Sequence, residues 1–308
     1  MAELTQAQKD LLEQIAGLTC RPDGAFNIRA HGGLAERAVT DHINITSKTD
    51  VPGIDITIKP EAQGETVYIP VVMDESGMVD VVYNDFFVGD GADVTIVAGC
   101  GIHNCGADDS QHDGIHRFFV GKGAHVKYVE NHYGSGDGMG KRILNPVTEV
   151  YMDEDSSVEM EMVQIKGVDS TIRTTKSELK AGAKLIIRER LMTHGEQHAE
   201  SIYTTELNGD GSSADVVSRS VARENSYQKY TSRIVGNAAC TGHTECDAIL
   251  MDNARVLAVP ELDAACLDAS LVHEAAIGKI AGDQLIKLMT LGLTQEEAEE
   301  EIVNGFLA

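Results

Sequence analysis

The fold class predicted from this sequence is mainly β, a single β-domain with helical ends. Three observations carry that expectation. Short β-type runs recur from about residue 51 to about residue 273. A weak internal repeat runs through the same region. Helix-start signatures occur at the two ends of the chain.

Taken in order, the opening segment reads as one helix. Thr5 and Gln8 have capping-box spacing, Leu11, Leu12 and Ile15 supply an apolar stripe, and Gly17 is the expected stop. Residues 18–50 are mixed and receive no assignment, so 1–50 is set apart as a helical and irregular N-terminal segment. The β character then begins with Ile54–Ile58, Val67–Val72 and Val94–Val97. Gly91-Ala92-Asp93-Val94 recurs as Gly123-Ala124-His125-Val126 and, in the same register, as Ser156-Ser157-Val158. Related forms follow at Gly182-Ala183-Lys184-Leu185, Ser213-Ala214-Asp215-Val216 and Asn253-Ala254-Arg255-Val256. Such repeats mean stacked units that bury their apolar faces against their neighbours, either as a β-solenoid or as a sandwich of hairpins. The β core is placed at 51–273 and a helical segment at 274–308. There a helix from about Asp283 to Thr290 is stopped by Gly292, and a second opens on the Thr294/Glu297 capping box. Leu285, Leu288, Met289, Ala298, Ile302 and Phe306 give the pair an apolar face, spaced for packing or for a partner.

Composition narrows the function classes. The 308 residues carry 49 acidic against 25 basic side chains, net −24, with no basic patch to grip phosphate backbones, so no nucleic-acid partner is expected. No apolar run reaches membrane-spanning length and no basic-then-apolar leader opens the sequence, so a soluble, cytoplasmic protein with no membrane partner is expected. Six irregularly spaced cysteines do not form a disulfide framework and are expected as free thiols or ligands.

Two constellations carry chemistry. Cys246, Cys266, His273 and Glu274 fall within about one repeat length, which in a solenoid places them on adjacent turns. Cys100 and Cys105, with His103, His112 and His116 close by, are enough for a metal site, but C-x₄-C followed by H-x₃-H matches no standard zinc spacing. The bland alternative is a polar, glycine-rich turn with a buried Cys100. Gly134–Arg142 resembles a phosphate loop but has Ser135 where the pattern needs Gly and Arg142 where it needs Ser or Thr, and a poor helix start follows. It reads as a loop between turns, and no nucleotide is expected to bind this chain. His194 and His198 follow a strand-like run and are expected to face solvent.

The ending Val272-His273-Glu274-Ala275, then Asp283-Gln284-Leu285 and Leu291-Gly292-Leu293-Thr294, resembles that of the SufB/SufD family, the scaffolds of the SUF iron–sulfur cluster assembly machinery. Glu245-Cys246-Asp247-Ala248-Ile249-Leu250 and Ala98-Gly99-Cys100 extend the resemblance over roughly residues 60–306. The resemblance implies a right-handed parallel β-helix and a compact, SufB-like scaffold, because SufD typically has Gly where Glu274 stands. It implies a transient iron–sulfur cluster at His273, Glu274, Cys246 and Cys266, and sulfur acceptance at Cys100 and Cys105. It implies docking of an ABC-type ATPase (SufC-like) through Leu285, Leu288, Met289, Ile302 and Phe306. Further implied partners are a second copy or a paralogous scaffold subunit, a sulfur donor and recipient apoproteins. The ATPase activity would reside in the partner, so the chain itself is not expected to be an enzyme. One departure stands out: the family cysteine on the strand before the His-Glu segment has no counterpart in Met251–Arg255, and Cys266 comes one strand later.

The competing expectation is a β-helix polysaccharide lyase or hydrolase using Asp108, Asp109 and Asp113 as acid–base groups. Absence of Trp, an aromatic content of 5% and a helical tail without a role weigh against it.

Overall fold

The computed structural model describes residues 4–308. From Gln63 to Gly278 the chain winds as a β-solenoid of about eight turns, each placing one strand in each of two sheets. The first sheet stacks Gln63–Met73, Asp93–His103, His125–Ser135, Ser157–Lys166, Lys184–Thr193, Ser213–Ala222, Thr241–Leu250 and Ser270–Gly278. The second stacks Val79–Val88, Ser110–Val120, the broken pair Arg142–Leu144 and Val147–Met152, then Ser170–Leu179, His198–Leu207, Tyr227–Gly236 and Arg255–Ala264. Pairing along both stacks is parallel, which decides for the solenoid and against a sandwich of hairpins.

The repeat has a conformational cause. Gly91, Gly123, Gly182 and Gly211 take positive φ at one corner, and Asp155 does so at φ 57° where no glycine is available. The next residue, Ala92, Ala124, Ser156, Ala183 or Ser212, is small and buried, and the strand then starts. The ladder corrects two of the sequence alignments. Lys184 pairs with Ser213, so the fifth repeat begins two residues earlier than the Ser213 alignment, at Gly211. Arg255 pairs with Tyr227 in the second sheet, so Asn253–Val256 is a corner of the other kind, and the first-sheet stack continues through Thr241 and Ser270. Both corners need a left-handed residue, supplied at the second kind by Asp252 (φ 56°), and this makes them alike in sequence.

The unassigned stretch 18–50 holds three strands. Ala25–Ala30 pairs antiparallel with Gly33–Ala38 and parallel with Gln63–Met73, while Ile43–Ser47 pairs antiparallel with Gly53–Ile58, so hairpins close the N-terminal end of the solenoid. The opening helix runs Gln6–Ala16, with the Thr5/Gln8 capping box formed and Gly17 left-handed at its end. It lies across the outer face of the first sheet over Gly99-Cys100-Gly101. A Cβ at Gly99 would stand 2.9 Å from Ile15 O and one at Gly101 3.0 Å from Leu11 Cδ2, so the two glycines make room for the helix.

At the other end, strand structure continues to Gly278, and the helices run Gly282–Met289 and Gln295–Leu307. The Thr294/Glu297 box forms as expected. The first of the pair stops at Thr290, which keeps right-handed helical geometry; Gly292 turns the chain two residues later at φ 103°. Val303 and Leu307 seat the last helix against Val221, with Phe306 packed on the same cluster.

Candidate functional site

Strict alternation along the last two strands of the first sheet decides which side chains meet. Thr244 pairs with His273, Glu245 with Glu274 and Cys246 with Ala275. Thr244 and Cys246 are fully buried and face the lumen, so His273 shares their face, while Glu245 and Glu274 point outward. His273 and Glu274 therefore lie on opposite sides of one strand, and the four expected ligands do not converge.

On the outer face Glu274 meets two residues that the sequence reading did not single out. One ligand atom each from His243, Glu245 and Glu274 falls within 4.8 Å of the others, close enough to hold a metal ion. His243 Nδ1 lies 2.7 Å from Asp215, whose carboxylate also pairs with Arg188, leaving Nε2 for a ligand. A carboxylate behind an imidazole is the usual support for a metal-binding histidine. Burial opposes ionisation of Asp215, but the hydrogen bonds from His243 and Arg188 hold its carboxyl below the usual range. The Glu245 carboxyl is pushed up by its hydrogen bond with Asp247, by burial and by the Asp247 charge, and a bound cation would relieve that repulsion. The signal for this group was the period of two: His243, Glu245 and the register partner Glu274 share a face.

Inside, burial and the negative charges of Glu189 and Asp247 raise the Cys246 thiol to about 12, so it serves as a ligand only when a metal displaces its proton. His273 Nδ1 is buried without a hydrogen-bond partner at the open end of the lumen. Cys266 stands apart, in the turn before Ser270; its N–H donates to Gly236 O. Its neighbour is Cys240, a buried thiol raised chiefly by burial, with the charge of Cys266 adding to the effect.

A polar track runs along the lumen. Cys100 stacks on His132 in the ladder. His132 Nδ1 lies 3.3 Å from Arg173 Nη2, and Arg173 is ion-paired with Glu130 and, at 3.7 Å, with Glu189. Glu189 accepts hydrogen bonds from Ser201 and Ser218, both at 2.6 Å, and Ser218 is the ladder neighbour of Cys246. Cys100 and Cys246 are thus five strands apart, about 24 Å at the usual strand spacing, with polar side chains along the way. Arg173, at 3% exposure, is held cationic; burial opposes this, but Glu130, Tyr203 and Glu189 raise its guanidinium further. Glu130, despite burial, is held well below the carboxylate range by Arg173 and His132.

Cys105 is exposed, its Sγ 3.1 Å from His103 Nε2, and it does not join Cys100 in the lumen. His112 and His116 face inward, but in different partnerships. His116 is bonded to Asn84 and Tyr128, and burial holds its imidazole down to about 4. His198 faces outward as expected, stacked on Tyr227 and 3.1 Å from Glu200. Residues 136–141 form a loop between the strands His125–Ser135 and Arg142–Leu144, with Arg142 locked to Asp169. Asp109 accepts from the Lys141 N–H and Asp113 from Gln111 and Asn145, so both carboxylates tie successive turns together.

On the helical pair, Leu285, Leu288 and Ile302 are half-buried and Phe306 packs on the solenoid. Met289 is exposed, beside Ile286 at 61% and Leu291 at 77%. No helix among the described residues is long and apolar enough to cross a membrane.

Comparison with known proteins agrees with this architecture. The family model described as SUF system FeS cluster assembly, SufBD core domain, matches residues 72–306. An iron–sulfur cluster assembly SufBD family protein of Methanothermobacter thermautotrophicus is 27% identical over 238 residues, 75% of this chain and 56% of that protein. One from Archaeoglobus fulgidus is 28% identical over 274 residues, covering 88% of this chain and 70% of its own length. A third, from Methanocaldococcus jannaschii, is 32% identical over 190 residues, 61% of this chain and 60% of that protein. The chain therefore spans little more than half the length of the Methanothermobacter relative. With the family model covering most of its length, the chain belongs to the SufBD family of iron–sulfur cluster assembly proteins.

Proposed function

We propose that this chain is a scaffold, not an enzyme in its own right, on which a transient iron–sulfur cluster is built from sulfur that enters at Cys100 and iron held at the C-terminal end of the solenoid. The observation that carries this reading is the polar track from Cys100 to Cys246, ending one strand-thickness from the His243, Glu245 and Glu274 group. Sulfur on the lumen side and iron on the outer side would meet at the open edge of the last strand, Ser270–Gly278, which carries His273 on one face and Glu274 on the other. His273 and Cys246 supply the inner ligands, and Glu274, His243 and Glu245 the outer ones. Imidazole and carboxylate replace some of the usual thiolates, and such mixed ligation suits a cluster that must leave.

The partners follow from the same frame. The last strand of each sheet, Arg255–Ala264 and Ser270–Gly278, is paired on one side only. These unpaired edges favour a second copy or a paralogous subunit that continues the sheets. Ile286, Met289 and Leu291 form the exposed apolar part of the helical pair and suit an ABC-type ATPase, SufC-like, whose nucleotide cycle would shift the scaffold between closed and open arrangements. A sulfur donor feeds Cys100 and apoproteins receive the cluster. Free thiols of this kind suit a reducing cytoplasm. The test is anaerobic purification after co-expression with the candidate ATPase, followed by iron and acid-labile sulfide analysis. Iron and sulfide in near-equal amounts with the ATPase co-eluting is the expected result; a protein free of iron, sulfide and partner would overturn the reading.

A further inference from the structure

The thiol that reaches solvent on the sulfur-entry strand is not Cys100. That residue is 8% exposed and packs with Val71, Met73 and Ile102, so a donor carried on another protein has no open approach to it. Cys105 stands just past the end of the same strand, Asp93–His103, and is exposed. Its Sγ lies 3.1 Å from His103 Nε2. The other ring nitrogen, His103 Nδ1, lies 2.9 Å from Ser135 Oγ. Ser135 is the ladder partner of His103 on the next turn, so the register of the solenoid puts the hydroxyl there. Thiol, imidazole and hydroxyl thus form a line at the surface.

The turn that carries Cys105 is held from both sides. The fully buried Asn104 side chain donates to Asp108 O at 2.8 Å and accepts from the Gly106 N–H at 3.0 Å. The Asn104 N–H donates to Ser135 O, and Asn104 O accepts from the Gly138 N–H. The Gly140 N–H donates to Gly106 O. The loop 136–141, which only resembles a phosphate loop, has its structural role here. A Cβ at Gly138 would stand 2.3 Å from Gly106 O and 2.6 Å from Cys105 C, and one at Gly136 would stand 2.2 Å from Asn104 O. Glycine lets the loop lie directly on this backbone and brace it while the thiol stays exposed.

We propose that Cys105 is a surface nucleophile for sulfane sulfur, with His103 as its base and Ser135 as the residue that orients the imidazole. A thiol beside a base that is itself held by a third group is a general arrangement for an activated nucleophile. The two ring contacts are satisfied together when Nδ1–H donates to Ser135 Oγ, which leaves the Nε2 lone pair facing the thiol. The N–H groups of Gly106, Gly138 and Gly140 are spent within the turn and cannot hold the oxyanion of an acyl substrate. Attack on sulfur develops no oxyanion, so a persulfide suits the site.

The inference rests on the scaffold reading for its substrate: the donor delivers sulfur at Cys105, ahead of its entry into the lumen at Cys100. As the Cys105 sulfur attacks the terminal sulfur of the donor persulfide, its proton passes to His103 Nε2. The donor S–S bond breaks and an S–S bond to Cys105 forms. The donor sulfur leaves as thiolate and takes the proton back from the imidazolium, with no net oxidation or reduction. Ser135 acts through His103 and is a positioning residue.

The full chain is treated with glutathione persulfide from about pH 6 to about pH 9, and persulfide on each cysteine peptide is followed by mass spectrometry. Cys20, the other exposed cysteine, is the reference thiol in the same molecule. Cys105 should load at least about tenfold faster than Cys20 at pH 7. His103→Gln should remove that advantage, its rate rising only as an ordinary thiol ionises near 8.5. Ser135→Ala should fall between the two, and Ser135→Thr, which keeps the hydroxyl, should restore the wild-type profile. That pair decides the matter should H103Q lose its native melting transition. Equal rates on Cys105 and Cys20, an H103Q profile superimposed on wild type, or S135A and S135T profiles that coincide would overturn the proposal. The scaffold reading fails separately: a chain that loads Cys105 as expected, in wild type and in Cys100→Ser, yet purifies without iron, sulfide or ATPase overturns that reading and leaves the Cys105 nucleophile in place.

Discussion

Arg173 is the single buried cation of the described lumen track, and its removal should be the most damaging change that leaves every apolar contact of the ladder in place. It is 3% exposed, and it neutralises Glu130 directly and Glu189 at 3.7 Å. Arg173→Met would strand two buried carboxylates. Removing one partner of a buried pair costs about 3–5 kcal/mol. For a chain of this size that corresponds to a fall in Tm of about 6–10 °C at roughly 2 °C per kcal/mol. Glu130→Gln should cost far less, because Arg173 keeps Glu189 and the new amide still accepts the Tyr128 hydroxyl, now 2.9 Å from Glu130. The triple change R173M/E130Q/E189Q leaves no stranded charge, and its amide at 189 can keep the Ser201 and Ser218 hydroxyls. It should recover most of the stability lost by R173M. Thermal melts of the four proteins by far-UV circular dichroism give the answer. An R173M midpoint within about 2 °C of wild type, or a triple variant no more stable than R173M, would refute the claim that this network is charged and mutually compensating. Folded but uncharged, the triple variant should also stop labelled sulfur loaded on Cys100 from reaching Cys246.

Two further outcomes follow from particular side chains. Burial lowers His116 to about 4 from an ordinary value near 6.5, so the unfolded chain gains a proton that the folded chain refuses. Its contribution is intact above pH 6.5 and is lost as pH falls toward 4, by about 1.4 kcal/mol per unit, and a comparison of urea midpoints at pH 7 and 5 should show a smaller drop in His116→Gln than in wild type. On the helical pair, Ile286→Asp with Leu291→Asp should abolish ATPase co-purification without moving the melting midpoint, since both side chains are exposed, whereas Val303→Asp should lower the midpoint because that side chain is buried on the solenoid.

What the sequence reveals, and what it conceals, follows the range of the interactions. The capping boxes at Thr5/Gln8 and Thr294/Glu297 are local and could be read directly. The corner repeat was legible at Gly91, Gly123 and Gly182, because a left-handed residue followed by a small buried one leaves a mark within four positions. It misled at Ser213 and Asn253, where the spacing shortens from 32 to between 27 and 29 residues and the other corner carries the same mark. The N-terminal strands escaped assignment because their partners lie up to about 40 residues away, as with Ala25 and Val67, and their own alternation is weak. The ligand group was half legible. Glu274 was visible through the family resemblance, but His243 and Glu245 are joined to it only by the register of adjacent turns. In a strand, sequence neighbours point to opposite faces, which sets His273 on the lumen side and Glu274 outside. The same physics separates Cys100 from Cys105: the first lies on an inward position of a strand and the second in the exposed turn beyond its end.

The central claim is that iron and sulfur arrive by different faces of one strand and meet at its open edge. Iron-edge X-ray absorption on the anaerobic chain tests it directly, first with ferrous iron alone and then after sulfur is loaded through a persulfide donor. The account predicts a shell of nitrogen and oxygen alone in the first sample, weakened in His243→Ala and Glu274→Gln. It predicts a sulfur shell in the second sample that is missing from Cys100→Ser. A sulfur shell of equal size in wild type and C100S, or an iron spectrum indifferent to both H243A and E274Q, would contradict it.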